Sequence, residues 1–230
     1  MPRSIKNSIL TRWGITEQEL TELVDNNGSL RGMMLGYIAE PMLKKMWFEK
    51  PSSALYLGKH DDHNRMKKGD LFVGYKNHTF DVESKSLQTK MNKKDGKVWR
   101  GQTQVDASDR RTVTLPDNSK IETTLLIYGE FDILAVNLFS FEDKWRFVFA
   151  KNNDLPRTND KRYTTYQQQH LIKSMVHVSW PPEGIFREEP YSLMDEIIEY
   201  RREHPEPPKI VVETPAEKVT EAKKVKIIKD

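Results

Sequence analysis

Three ionisable side chains stand out by type and spacing. Asp70 precedes the run LFVGY, and Glu83-Ser84-Lys85 lies in the run HTFDVESKS that follows it. Between the runs, Lys76-Asn77 reads as a hairpin turn, so the two are expected to pair as antiparallel strands. In such a hairpin Asp70 and Glu83 converge at one end, where two carboxylates can hold one Mg²⁺ while the Lys85 amine lies about one pleat away. That set suits phosphodiester hydrolysis. A divalent cation neutralises charge on the phosphate and acidifies a water, and a lysine orients that water or stabilises the developing negative charge. Alternation along the second run puts Phe80, Val82 and Ser84 on one face and Thr79, Asp81, Glu83 and Lys85 on the other.

Glu-x-Lys is a short pattern, and it recurs at Glu142-Asp143-Lys144 and Glu221-Ala222-Lys223, with Asp95-Gly96-Lys97 as an aspartate version. The first falls at a turn between apolar runs, the second in the charged C-terminal segment and the third in an expected loop. Only Glu83 and Lys85 sit inside an alternating run. The plain alternative is an edge hairpin whose charges deter strand pairing. His60-Asp61-Asp62-His63 has metal-capable side chains without a third anchor and reads as a polar loop rather than a zinc site. Neither GxGxxG nor GxxxxGK[ST] occurs, so dinucleotide redox chemistry and nucleotide hydrolysis lose their main sequence support.

The elements that must position these residues follow from periodicity and caps. Thr16 with Glu19 forms a capping box for a first helix, and Ser29 is expected to cap the next, SLRGMMLGYIAEPMLKKMWF. Met34, Tyr37, Ile38 and Met42 define that helix's apolar face, Glu40 lies beside it, and Pro41 is expected to bend it or divide it in two. From Gln88 to Arg111 the chain is basic and poor in apolar residues, which predicts a long loop. TTLLIYG, FDILAVNLF and WRFVFA read as the buried centre of a sheet, with Trp145, Phe147 and Phe149 as core. Asp132, at the start of a central strand, is expected either to join the site or to pair with Arg110 or Arg111. A helix is expected from about Thr164 to His177, and YSLMDEIIEYRREH reads as a last helix with Leu193, Ile197 and Tyr200 on one side.

This order of elements, a helix carrying an acid, then Asp70, a hairpin, Glu83-Ser84-Lys85 and further strands and helices, resembles the PD-(D/E)xK nuclease superfamily over roughly residues 28 to 200. Gly69 stands where the motif name has proline. The resemblance implies an α/β fold with a restriction-endonuclease-like core, a mixed β-sheet flanked by helices on both faces. It implies that Asp70, Glu83 and the backbone carbonyl of Ser84 hold Mg²⁺ and that Lys85 is the catalytic lysine. Glu40 would be an extra acid for a second metal or for orienting a water, and Gln102 or Gln104 a supporting glutamine. The activity implied is Mg²⁺-dependent cleavage of double-stranded DNA to a 5′-phosphate and a 3′-hydroxyl, most like a type II restriction endonuclease. The alternatives are a repair or recombination nuclease on the same fold, or a DNA-binding protein without catalysis. A homodimer would match a palindromic target, and a partner DNA methyltransferase would protect the host's own DNA.

A DNA surface is expected near the site. Lys90, Lys93, Lys94, Lys97, Arg100, Arg110 and Arg111 crowd one segment around Trp99 and would contact phosphates, with Arg100, Gln102 and Gln104 suited to base edges. Lys67 and Lys68 are further candidates for the backbone. The surface must be local, because 37 Lys+Arg against 34 Asp+Glu over 230 residues excludes a polycation. The absence of cysteine excludes a disulfide scaffold and a thiol nucleophile. No apolar run approaches the roughly 18 residues of a membrane span, and the opening lacks a signal-like apolar stretch, so the expectation is a cytoplasmic protein with no membrane partner. One domain is expected over residues 1–205, with N-terminal helices in 1–50 and a catalytic core from 51, followed by a charged, mobile tail over 206–230.

Overall fold

The computed structural model describes residues 8–49, 54–58, 69–88, 92–205 and 211–213. Helices α1 (Ile9–Trp13), α2 (Glu17–Asp25) and α3 (Gly28–Leu43) come first. The capping box of Thr16 and Glu19 forms on α2, but α3 begins after Asn27, whose side chain makes no capping bond, and Ser29 lies inside the helix. The chain stays helical through Pro41 and loosens into a π turn, Lys44–Phe48, so α3 is not divided in two. Its buried residues are Ala39 and Leu43. The expected apolar face is divided: Met42 packs on the core and Met34 is half-buried, while Tyr37, 75% exposed, and Ile38 point outward.

Strands β1 (Leu55–Gly58), β2 (Leu71–Tyr75), β3 (His78–Ser86), β8 (Ile133–Asn137) and β9 (Phe147–Lys151) form a five-stranded sheet in the order β1-β2-β3-β8-β9. All its pairs are antiparallel except β3 with β8, so the sheet is mixed and the protein is mixed α/β. Alternation decides what each face meets. Phe80, Val82, Ile133, Ala135, Phe147 and Phe149 face Ala39, Leu43 and Phe48 together with Leu193, Met194 and Ile198 of α5 (Tyr191–Glu203). Leu134, Val136, Val148 and Ala150 face the other way, against Leu87, Val105, Phe141, Val176 and Val178.

Among the described residues that second face is covered by strands and loops, so helical cover on both faces is not shown. Strands β4 (Lys93–Asp95), β5 (Val98–Gln104) and β10 (Met175–Trp180) form a sheet in the order β10-β5-β4. The basic segment expected to be a loop therefore holds β4, β5 and the first part of β6 (Asp106–Thr114). β6 pairs with β7 (Lys120–Leu125) and with β11 (Val211–Glu213), the described part of the segment expected to be mobile. Because β7 belongs to this third sheet, TTLLIYG lies outside the central one. The helix expected over 164–177 is the short α4 (Thr165–His170), and the chain beyond it alternates, burying Val176 and Val178 as a strand does.

Two charged clamps tie these layers. Asp132 takes neither expected arginine: its Oδ1 accepts from Arg201 of α5 at 2.6 Å and its Oδ2 from the Asp81 N–H at 2.8 Å. Arg111, 4% exposed, is paired with Glu130 and also donates to the Leu125 carbonyl at 3.2 Å. Removing one member of a buried pair strands a charge and costs about 3–5 kcal/mol, whereas an exposed pair contributes about 0–1 kcal/mol. Glu130→Ala is therefore expected to lower the urea unfolding free energy by about 3 kcal/mol or more. Glu183→Ala, which frees the exposed Arg100 paired at 2.9 Å, is expected to cost under about 1 kcal/mol, and equal losses would contradict the contrast.

Candidate active site

The β2–β3 hairpin assembles the site. Lys76 and Asn77 both take positive φ, 47° and 63°, as a two-residue turn matched to strand twist requires. The resulting register sets Leu71 opposite Val82, which brings Asp70, one residue earlier, beside Glu83 and Ser84. Asp70 Oδ2 accepts the Ser84 N–H at 2.7 Å. On β3 the Lys85 Nζ lies 2.7 Å from Glu83 Oε1. Glu83 and Lys85 project toward the face where neighbouring β8 presents Leu134 and Val136, and there Glu83 is buried to 6% exposure.

Burial in that layer shapes the electrostatics. Desolvation first, then the nearby Glu83 charge and more weakly that of Glu40 on α3, push the Asp70 carboxyl up to about 7, against the pull of the Ser84 N–H and Lys85. Burial pulls the Lys85 ammonium down, but the charge and hydrogen bond of Glu83, with the charges of Asp70 and Asp106, outweigh it and hold Lys85 above its ordinary value. The cluster thus combines acids short of a counter-charge with one firmly protonated amine.

Its donor set is oxygen only, which suits a hard divalent cation. Among the described residues no three or more His, Asp or Glu side chains form a ready-made cage. Two carboxylates and a backbone carbonyl fit Mg²⁺, which keeps several waters in its shell. A cation between Asp70 and Glu83 would also relieve the like-charge strain that raises Asp70. Of the residues expected here, Asp70, Glu83, Ser84 and Lys85 are brought together, and Glu40 lies within electrostatic range.

Asp106 was missed: it follows β5, its charge reaches Lys85, and its Oδ1 is buried without a hydrogen-bond partner. In the sequence it is one more acid in a basic segment, and no motif sets it apart. Asn137 was also missed; this buried side chain donates to Ser86 Oγ at 3.2 Å and steadies the end of β3.

The expected DNA contacts separate into groups. Lys93, Lys94 and Lys97 are exposed on β4 and its turn, and Arg100 and Gln104 are exposed on β5 beside half-buried Gln102. Arg110 is exposed on β6, while Arg111 is removed from the set, since its guanidinium is spent inside the protein on Glu130. Trp99 stacks on Phe141, centroids 5.4 Å apart, with Lys94 over its ring. Lys90, Lys67, Lys68 and the His60–His63 cluster lie outside the described residues.

The raised Asp70 value makes a pH prediction. An aspartate with an ordinary value of 3.8 and a folded value of about 7 binds its proton more tightly when folded. Its contribution to stability is present below 3.8 and is lost as pH rises through about 7. Asp70→Asn, which keeps the acceptor for Ser84, is therefore expected to exceed the wild type in thermal midpoint at pH 8 by about 3–6 °C without metal, a gain of about 1–2 kcal/mol. The gap is expected to close toward pH 4, and a variant less stable than wild type at pH 8 would contradict the electrostatics described here. Comparison of the chain with family models, curated proteins and solved structures finds no match.

Proposed function

We propose that the protein is a Mg²⁺-dependent endodeoxyribonuclease that hydrolyses phosphodiester bonds of double-stranded DNA, of the type II restriction kind, on a restriction-endonuclease-like core. The observation that carries this reading is the convergence of Asp70, Glu83 and Lys85 at one end of the β2–β3 hairpin, with Asp70 bonded to the Ser84 N–H. Asp70, Glu83 and the Ser84 carbonyl would hold the metal. Bound there, Mg²⁺ supplies charge neutralisation at the phosphate and acidification of the attacking water. Lys85, kept protonated by Glu83, orients that water and faces the negative charge that grows on the phosphoryl oxygens. Glu40 and Asp106 extend the acidic rim. The exposed cations Lys93, Lys94, Lys97 and Arg110 give a duplex its phosphate contacts.

A homodimer belongs to the same reading. Six of the ten most exposed large apolar side chains among the described residues, Ile9, Trp13, Leu23, Met33, Tyr37 and Ile38, lie in α1–α3, and α1 and α2 bury no residue. Helices this short are marginal without packing. Exposed apolar side chains gathered on neighbouring helices mark an interaction surface, and a second copy is the occupant proposed. Two sites related by a two-fold axis would cut both strands, and a cognate methyltransferase would be the expected companion.

The test is incubation of the full chain with plasmid and phage DNA in Mg²⁺ and in EDTA. Discrete Mg²⁺-dependent fragments are expected, with supercoiled plasmid passing to linear form with little nicked circle. Glu83→Ala is expected to abolish cutting. Lys85→Ala should slow it by at least about 10²–10³-fold while DNA binding persists. Undiminished cutting by either variant would overturn the site, and selective cutting of nicks, flaps or junctions would favour a repair nuclease.

A further inference from the structure

The outer sheet carries an arrangement that the hydrolytic site does not explain. In its register Lys93 stands opposite Arg100, Gln102 opposite His177 and Gln104 opposite Met175. Directly opposed residues of an antiparallel pair project to the same side, so β4, β5 and β10 gather these residues on one face. Trp99, Thr103, Val176 and Val178 project to the other face, where Val176 and Val178 join the core. Exposed Arg100, Gln104 and His177 and half-buried Gln102 thus form a strip of donors and acceptors on a rigid ribbon. The Gln102 Nε2 lies 3.3 Å from His177 Nδ1, which keeps the two side chains level. Among the described residues Arg100 is held by an exposed pair with Glu183, the kind of contact that opens easily.

This strip is wired to the site. Gln88, two residues beyond β3, donates its N–H to the Gln102 carbonyl at 2.8 Å, and Thr103 Oγ1 donates to the Ser86 carbonyl at 3.0 Å. Gln104 Nε2 donates to Asp106 Oδ2 at 3.3 Å, and Asp106 is the acid whose charge reaches Lys85. A duplex whose backbone meets Lys85 would therefore bring its bases toward Gln104 first, then Gln102 and Arg100.

We propose that Arg100, Gln102, Gln104 and His177 are the base-reading face of the protein and lie in the major groove of the duplex being cut. The proposal rests on the nuclease reading. A major groove about 12 Å wide admits a two-stranded β-ribbon. A Gln amide matches adenine N6 and N7, and an Arg fork matches guanine O6 and N7. From Arg100 to Gln104 the strand advances about 13 Å at ~3.4 Å per residue. That distance spans about four base pairs at a ~3.4 Å rise. His177 lies 75 residues from Gln102 in sequence, and no motif marks it as part of a reading surface.

The test is selection of random-sequence duplexes by the full-length Lys85→Ala chain in Mg²⁺, repeated with Gln102→Ala and with His177→Ala added. The Lys85→Ala chain is expected to enrich a motif of about four contiguous base pairs per chain. Each added substitution is expected to lower the preference at one or two of those positions by about 10–100-fold. Thermal midpoints should change little, since exposed His177 and half-buried Gln102 both lie outside the apolar core. Lys97→Ala should instead weaken all sequences alike. A motif that survives both added substitutions, or no enriched motif at all, overturns the proposal. Cutting by the wild-type chain is scored separately, so loss of the reading face and loss of the nuclease reading remain distinguishable.

Discussion

Two carboxylates pressed together at the margin of an apolar layer set the terms for the rest of the molecule. Asp70 and Glu83 meet because a two-residue turn at positive φ fixes the hairpin register. A slip of one residue would turn Phe80 and Val82 out of the core. The register that builds the core is thus the register that builds the site. Its electrostatic cost falls on Asp70, raised to about 7 by burial and by Glu83. The surroundings relieve only part of that cost, through the Ser84 N–H and the Lys85 amine, and a cation bound there would relieve the remainder.

The central sheet meets different materials on its two faces, and this division sets the Asp70, Glu83 and Lys85 cluster beside the outer sheet. Helices α3 and α5 pack on the face of Phe80, Val82, Ile133 and Phe149, and Arg201 clamps α5 to Asp132 and to the Thr79 carbonyl. The opposite face, from which Glu83 and Lys85 project, is roofed by the β10-β5-β4 sheet. A roof of strands has an outer face of its own, with side chains alternating between the apolar interior and solvent. Asp70, Glu83 and Lys85 therefore lie against a ribbon whose outer side is polar and cationic. The contacts of Gln88 with Gln102 and of Thr103 with Ser86 make the two layers one unit at that end.

Much of the site was legible in the sequence because hairpin chemistry is local. Lys76-Asn77, flanked by alternating runs, determines the pairing that opposes Asp70 to Glu83, and no distant contact is needed to infer it. The last helix and the Thr16 capping box are equally local. What failed were inferences in which composition stood for structure. A basic segment with few apolar residues contains β4, β5 and part of β6, because an outer sheet needs only every second residue to be apolar or small, and Gly101, Thr103 and Val105 meet that need. Beyond His170 the alternation of Val176 and Val178 marks a strand, and it outweighs the helical spacing of the residues before it. The partners of Asp132 and Glu130, Arg201 and Arg111, lie 69 and 19 residues away in sequence, and only the assembled layers bring them together.

We propose that Asp70 and Glu83 form one cation site whose unfavourable charge a bound metal would relieve. Mn²⁺ shares the preference of Mg²⁺ for carboxylate oxygen, and its free form is counted directly by electron paramagnetic resonance. Titration of the full chain with Mn²⁺ at pH 7.5, taken as roughly physiological, is expected to show a bound ion that Mg²⁺ displaces. That binding should be lost in both Asp70→Asn and Glu83→Gln. A free Mn²⁺ signal unchanged by the protein, or binding that persists in both variants, would contradict it.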